Sequence, residues 1–311
     1  MAVAALTKIS RISAWVTLND AFCAVLLGDL HRAADLLARG AEIEHEVNVV
    51  HRWSVALALH LGTLRGHSAD GDLERARGEL DASIDDVQLA SVSVLAGAIA
   101  YRLAAEHRIA EAGDVLARVL PIFSEVEIPY WLLDAASLHG DGATRVRARE
   151  LAMHVASRAG ARPAQGVLAM IDAREALRRR RREESLAHAE TAAAAFRDAG
   201  WTLYEAYALE LAGRVPEALA LFRRMGATAE VGRITHVGDL DRSRRRGAST
   251  LTGREREIAG LVVAGHPTRT IADRLVISER TVETHIAAIY RKLGVASRRG
   301  LETLLSGSAE S

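Results

Sequence analysis

Leu251-Thr252-Gly253-Arg254-Glu255-Arg256-Glu257, then Ile271-Ala272, then Ile277-Ser278-Glu279-Arg280-Thr281-Val282-Glu283-Thr284-His285-Ile286, then Arg291-Lys292-Leu293-Gly294-Val295 are four phrases near the end of a 311-residue chain. Local chemistry alone turns them into four short helices. Thr252 followed three residues later by Glu255 is a capping box, in which each side chain satisfies a backbone N–H that the first turn leaves orphaned. Ile258, Leu261 and Val262 then recur at helical spacing, and Gly265 with Pro267 ends the element. A second helix covers about residues 268–275 with Ile271, Ala272 and Leu275 inward, and a three-residue corner follows. Ser278 caps a third helix over 279–293, and Glu279 suits its positive end. Val282, Ile286, Ile289 and Leu293 make one apolar stripe along it. Gly294 stops it, and Ser297 caps a fourth helix carrying Leu301, Leu304 and Leu305.

Two helices joined by a short corner, the second longer and polar on its outer face, follow the helix-turn-helix plan. With the stripe inward, Arg280, Glu283, Thr284, Ala287 and Arg291 point outward and are able to enter a major groove. Over residues 250–306 the phrases quoted above, in that order, resemble the LuxR/FixJ-type DNA-binding domain at most framework positions. The resemblance implies that Glu283, Thr284 and Ala287 reach base edges. The chain departs from that family at two of these places, where Lys and a polar or basic residue are common. Glu283 suits a cytosine N4 donor and Ala287 a thymine methyl. Phosphate contacts need cations and hydroxyls, and the candidates are Arg269, Arg274, Arg280, Thr281, Arg291, Lys292, Arg298 and Arg299. The resemblance further implies double-stranded DNA as partner, a homodimer on a two-fold operator with residues 297–306 as the dimer helix, and a contact with RNA polymerase.

Charge agrees with that reading. The chain is formally neutral, yet residues 241–300 hold 13 Lys/Arg against 6 Asp/Glu, which leaves residues 1–240 at −5. A local surplus where the groove reader sits is the footprint of a nucleic-acid module. Only Lys8 and Lys292 are lysine, so arginine carries the positive charge throughout. Hydrophobic content of 49% with only 4% aromatic residues describes an alanine- and leucine-rich, all-α chain. One cysteine, Cys23, excludes an internal disulfide and suits a reducing cytoplasm; its apolar helix suggests a buried thiol. No signal peptide and no membrane span is legible, although the chain opens abruptly into helix.

Residues 1–236 read as a helical array. Gly28-Asp29-Leu30 with Ala33 answers to Gly71-Asp72-Leu73 with Ala76, and looser copies follow at His107-Arg108-Ile109 with Ala112 and at Gly213-Arg214-Val215 with Ala218. Others place Ala148 and Ala187 in the same role. The spacing implies about six stacked helix pairs, similar to tetratricopeptide repeats. Such arrays offer a concave groove for a protein or small-molecule effector, and Trp53, Tyr101, Trp131, Trp201 and Tyr204 are candidate lining residues. Phe196 to Gly232 resembles the last repeat of large LuxR-type regulators, whose upstream ATP-binding module has no counterpart here, since no Gly-x4-Gly-Lys-Ser/Thr loop occurs. Residues 237–249, with Arg242 and Arg244 to Arg246, read as a linker before a domain over 250–311.

No catalytic constellation, cofactor loop or metal-ligand spacing is found, so neither enzyme activity nor a cofactor is expected. The scattered histidines give no paired clamp. The Arg178 to Arg182 run reads as a solvated helix end. The rival to a DNA-binding regulator is a protein-interaction scaffold whose terminal domain is vestigial.

Overall fold

The computed structural model describes residues 2–43, 48–67, 71–123, 130–159, 161–236, 251–275, 277–293, 295 and 297–306; they are helical with short connections and contain no strand. The expected linker over 237–249, Gly294 and the side chains of Leu304 and Leu305 lie outside the described residues. The chain divides into two compact units, Met1–Gly232 and Arg233–Ser311.

The first unit is the array. Its helices are α1 (Ala2–Leu26), α2 (Leu30–Ile43), α3 (Asn48–Arg65), α4 (Asp72–Asp85), α5 (Leu89–Ala105), α6 (Ile109–Val119), α7 (Tyr130–His139), α8 (Gly142–Ala159), α9 (Arg162–Arg178), α10 (Arg182–Asp198), α11 (Thr202–Leu211) and α12 (Val215–Met225). Helix α13 covers residues 228–236. Consecutive helices pair as six hairpins, α1 with α2 through α11 with α12, and the hairpins stack.

One local rule builds most of these hairpins. A residue in the left-handed region turns the chain, and a small side chain five residues later is fully enclosed by the neighbouring helix. The turning residues are Gly28, Gly71, His107, Arg180 and Gly213. The enclosed residues are Ala33, Ala76, Ala112, Ser185 and Ala218. This corrects the expected register of the fifth unit: Ala187 is exposed and Ser185 takes its place, because the turn sits at Arg180 rather than at a glycine. The fourth unit has a different turn, in which the Asp141 carboxylate accepts from the Thr144 N–H at 2.7 Å, and Ala148 is buried behind it. The Arg178 to Arg182 run is therefore a hairpin turn. Arg179 and Arg181 pair with Glu175 and Glu184, and Arg178 donates to the Ser137 carbonyl.

The array closes on itself. Helix α1 touches α11, and the Thr228 hydroxyl donates to the Arg65 carbonyl at 2.5 Å across 163 residues of sequence. A Cβ on Gly28 would come within 2.5 Å of the Met225 sulfur, so only glycine permits that approach at its φ of +80°. Closure fills the concave face expected to serve as a groove. Every residue from Ser91 to Ala100 of α5 is buried, as is every residue from Trp131 to Ser137 of α7. Of the groove candidates, Trp131 and Tyr204 are core, while Trp53, Tyr101 and Trp201 are partly buried. Alanine-rich faces make this possible, since helices without large side chains approach closely. Cys23 is exposed rather than buried, on the outer side of α1.

The second unit contains α14 (Gly253–Val263), α15 (Thr268–Leu275), α16 (Glu279–Leu293) and α17 (Arg298–Ser306). Its core is Leu251, Ile258, Ala259, Val262, Ile271, Ala272, Val282, Ile289 and Leu301.

Candidate nucleic-acid interface

Helix α14 starts on the capping box read from the sequence. The Thr252 hydroxyl accepts from the Glu255 N–H at 3.2 Å, and the Glu255 carboxylate accepts from the Thr252 N–H at 2.8 Å. Glu255 has a second task. Lys292 Nζ donates to both of its carboxylate oxygens at 2.7 Å, tying the start of α14 to the end of α16. These bonds, that from Lys292 foremost, hold the Glu255 carboxyl down to about 2. The clamp is thus complete above the ordinary carboxylate range and is lost only as pH falls through about 2.

Gly265 ends the turn after α14 with φ +87°. Helix α15 packs Ile271 and Ala272 inward, and the corner is closed by the Ile277 N–H donating to the Ala272 carbonyl at 3.1 Å. Ser278 then caps α16, accepting from the Thr281 N–H at 3.1 Å. The apolar stripe lies as its spacing requires: Val282 and Ile289 are fully buried, and Ile286 and Leu293 pack partly buried against the same core.

The opposite face of α16 is open. Arg280, Thr281, Glu283, Thr284, Ala287 and Arg291 are all exposed. At 3.6 residues per turn, Thr284, Ala287 and Arg291 point within roughly 40° of Arg280, and Arg280 to Arg291 spans about 16 Å. The two arginines bracket the small and polar residues between them. The Thr284 hydroxyl donates back to the Arg280 carbonyl at 2.9 Å, so it faces outward as an acceptor. A straight rod with cations at both ends and short side chains between matches the width and depth of a major groove.

The eight expected phosphate contacts divide by what already holds them. Arg269, Arg280 and Arg291 are exposed. Arg274 meets the His266 Nε2 at 3.0 Å, and the Thr281 hydroxyl meets that of Ser278 at 2.7 Å. Lys292 and Arg298 are committed to the framework. Lys292 clamps Glu255, and Arg298 donates to the carbonyls of Val262 and His266 at 2.6 and 3.1 Å and pairs with Glu302. Arg299 is exposed on α17. Sequence reasoning missed these two struts because their partners lie 32 to 37 residues away. It also missed Arg254, which braces α14 to the end of α15 through the Leu275 carbonyl at 2.7 Å.

Four helices with this capping, this corner and this exposed rod define a helix-turn-helix domain of the DNA-binding class. The family model for bacterial regulatory proteins of the luxR family matches residues 249–304, so the C-terminal part of the chain is a LuxR-family helix-turn-helix domain. Over 53 residues the chain is 49% identical to a putative HTH-type transcriptional regulator of Mycobacterium bovis, covering 17% of this chain and 6% of that protein. Over 55 residues it is 46% identical to the transcriptional regulatory protein MctR of Rhizobium johnstonii, covering 18% of this chain and 26% of that one. The matches thus span the DNA-binding domain and a small part of each relative. No solved structure matches the chain.

Proposed function

We propose that the protein is a transcriptional regulator that binds double-stranded DNA through the outer face of α16, with the array as its sensing module. The observation that carries this reading is the exposure of Arg280, Thr284, Ala287 and Arg291 on one face while Val282 and Ile289 are wholly buried on the other. Glu283, Thr284 and Ala287 read bases; Arg269, Arg274, Arg280, Thr281, Arg291 and Arg299 hold phosphates. Lys292 and Arg298 set the angle of α16 and α17 rather than touching DNA. The protein acts in the cytoplasm as a homodimer on a two-fold operator, with α17 between the copies and RNA polymerase as a further contact. The luxR-family match and the names of the relatives support this reading, as does the surplus of seven positive charges over residues 241–300.

Mobility shifts on DNA selected from genomic fragments by the purified chain test it. Glu283→Lys is expected to change which sequences are selected. Arg291→Ala is expected to weaken binding to every sequence alike and to lower the salt slope by about one. Identical behaviour of the two variants would remove the groove assignment. Absence of salt-dependent DNA binding by the full chain would favour the scaffold reading instead.

A further inference from the structure

Helices α4 and α6, the second helices of two neighbouring hairpins, flank α5, and a groove opens between them. It holds about 290 Å³, close to the lower bound of about 300 Å³ for small-molecule sites. Leu80 and Val115 are its apolar wall. The other lining side chains are charged: Arg77 and Asp81 from α4, and Glu111, Asp114 and Arg118 from α6.

Most of that charge is already matched. Arg77 reaches across the groove to Glu111 at 2.8 Å and pairs along its own helix with Glu74. Glu111 also accepts from Arg108, and these donors, Arg108 foremost, hold its carboxyl down to about 2. Arg118 reaches across the other way, to Asp81 at 2.9 Å. That contact takes one terminal nitrogen of a guanidinium with five N–H donors, and the arginine side chain is 53% exposed. Asp114 is exposed and has no partner among the described residues. It stands one helical turn before Arg118, a spacing at which opposite charges on a helix ordinarily pair. Here the arginine pairs across the groove instead, and the Asp114 carboxylate is left open beside an apolar wall.

We propose that this groove binds an apolar α-amino acid. Its ammonium pairs with Asp114, its carboxylate takes the open guanidinium donors of Arg118, and its side chain lies on Leu80 and Val115. The two charges of an α-amino acid flank a single carbon. Asp114 and Arg118 present opposite charges from Cβ atoms about 6 Å apart, so one zwitterion spans the gap that the two residues leave between themselves. A lone anion would face three carboxylates and a lone cation two guanidinium groups, so a molecule carrying both signs is the better electrostatic match. The site deepens the sensing role proposed for the array, and rests on that reading only for what binding does to DNA affinity.

L-Leucine is the probe. Titrated calorimetrically into the full chain, it is expected to bind at one molecule per chain. Asp114→Asn and Arg118→Gln, both at exposed positions, should each weaken that binding about tenfold, the worth of one charge-assisted hydrogen bond. Isoamylamine, which lacks the carboxylate, and isocaproate, which lacks the ammonium, should each bind the unaltered chain about tenfold more weakly or worse. Absence of saturable leucine binding overturns the site, and so does undiminished affinity in the Asp114→Asn chain. Isoamylamine binding as tightly as leucine would show a simple cation site and overturn the amino-acid assignment. Mobility shifts with and without saturating leucine separate the two readings: binding that leaves DNA affinity unchanged keeps the site and refutes its regulatory role, whereas no binding refutes the site whatever the DNA does.

Discussion

In the array Asp134, Arg174 and His60 are enclosed and Tyr101 is partly buried beside them, whereas in the C-terminal unit Arg280, Thr284, Ala287 and Arg291 stand in solvent on a helix whose other face is core. The two units use the same element, a helix of eight to 25 residues with short connections, to opposite ends. Small side chains let the stack of the array curl until its ends meet, and a few polar groups, Asp134, Arg174 and Ser137 among them, are sealed inside it and specify one arrangement. The helix-turn-helix unit is four helices around a nine-residue core. It encloses little beyond that core and the Glu255 carboxylate, and the polar groups on the outer face of α16 stand in solvent. Inward polar groups report on the fold; outward ones report on binding.

That contrast can be broken by substitution, because the tryptophans all lie in the array and Tyr290 is the one aromatic residue after residue 250. Tryptophan fluorescence therefore follows the first unit, while far-ultraviolet dichroism follows both. The largest effect is expected from Asp134→Ala, which strands the buried Arg174 guanidinium. It should lower the stability of the fluorescence transition by about 3–5 kcal/mol and leave DNA binding by the folded fraction intact. A smaller loss, about 2–4 kcal/mol, is expected from Ile289→Ala, seen by dichroism and absent from tryptophan fluorescence. A shift of both signals together would mean the units are not independent. The smallest effect is expected at a turn. Val87 is β-branched, exposed and held at φ 54°; Val87→Gly should stabilise the array by about 1 kcal/mol, measured by urea titration.

The C-terminal fold was legible because its determinants are local. Thr252 and Glu255 sit three residues apart, Ser278 directly precedes its helix, and the stripe from Val282 to Leu293 shows its period within one element. The outward set of α16 followed from that stripe. Which cations were free did not, since Lys292 and Arg298 are held by groups more than thirty residues away. The array was legible as hairpins but not as a closed body. Closure depends on Arg65 meeting Thr228 and Gly28 meeting Met225, and no local pattern carries a contact across that much sequence. Arg180 escaped detection as a turning residue because nothing in its composition marks it; Ser185, five residues on, is the signal that would have found it.

On the proposed reading the exposed face of α16 lies along a duplex and is held there by Arg269, Arg280 and Arg291. The most direct measurement is the affinity of the full chain for its selected DNA across a salt series, compared with a chain in which those three arginines are alanine. The logarithmic salt slope is expected to become shallower by about 2.7, three phosphate contacts' worth, with helical content and tryptophan fluorescence unchanged. An identical slope in the folded triple variant would contradict it.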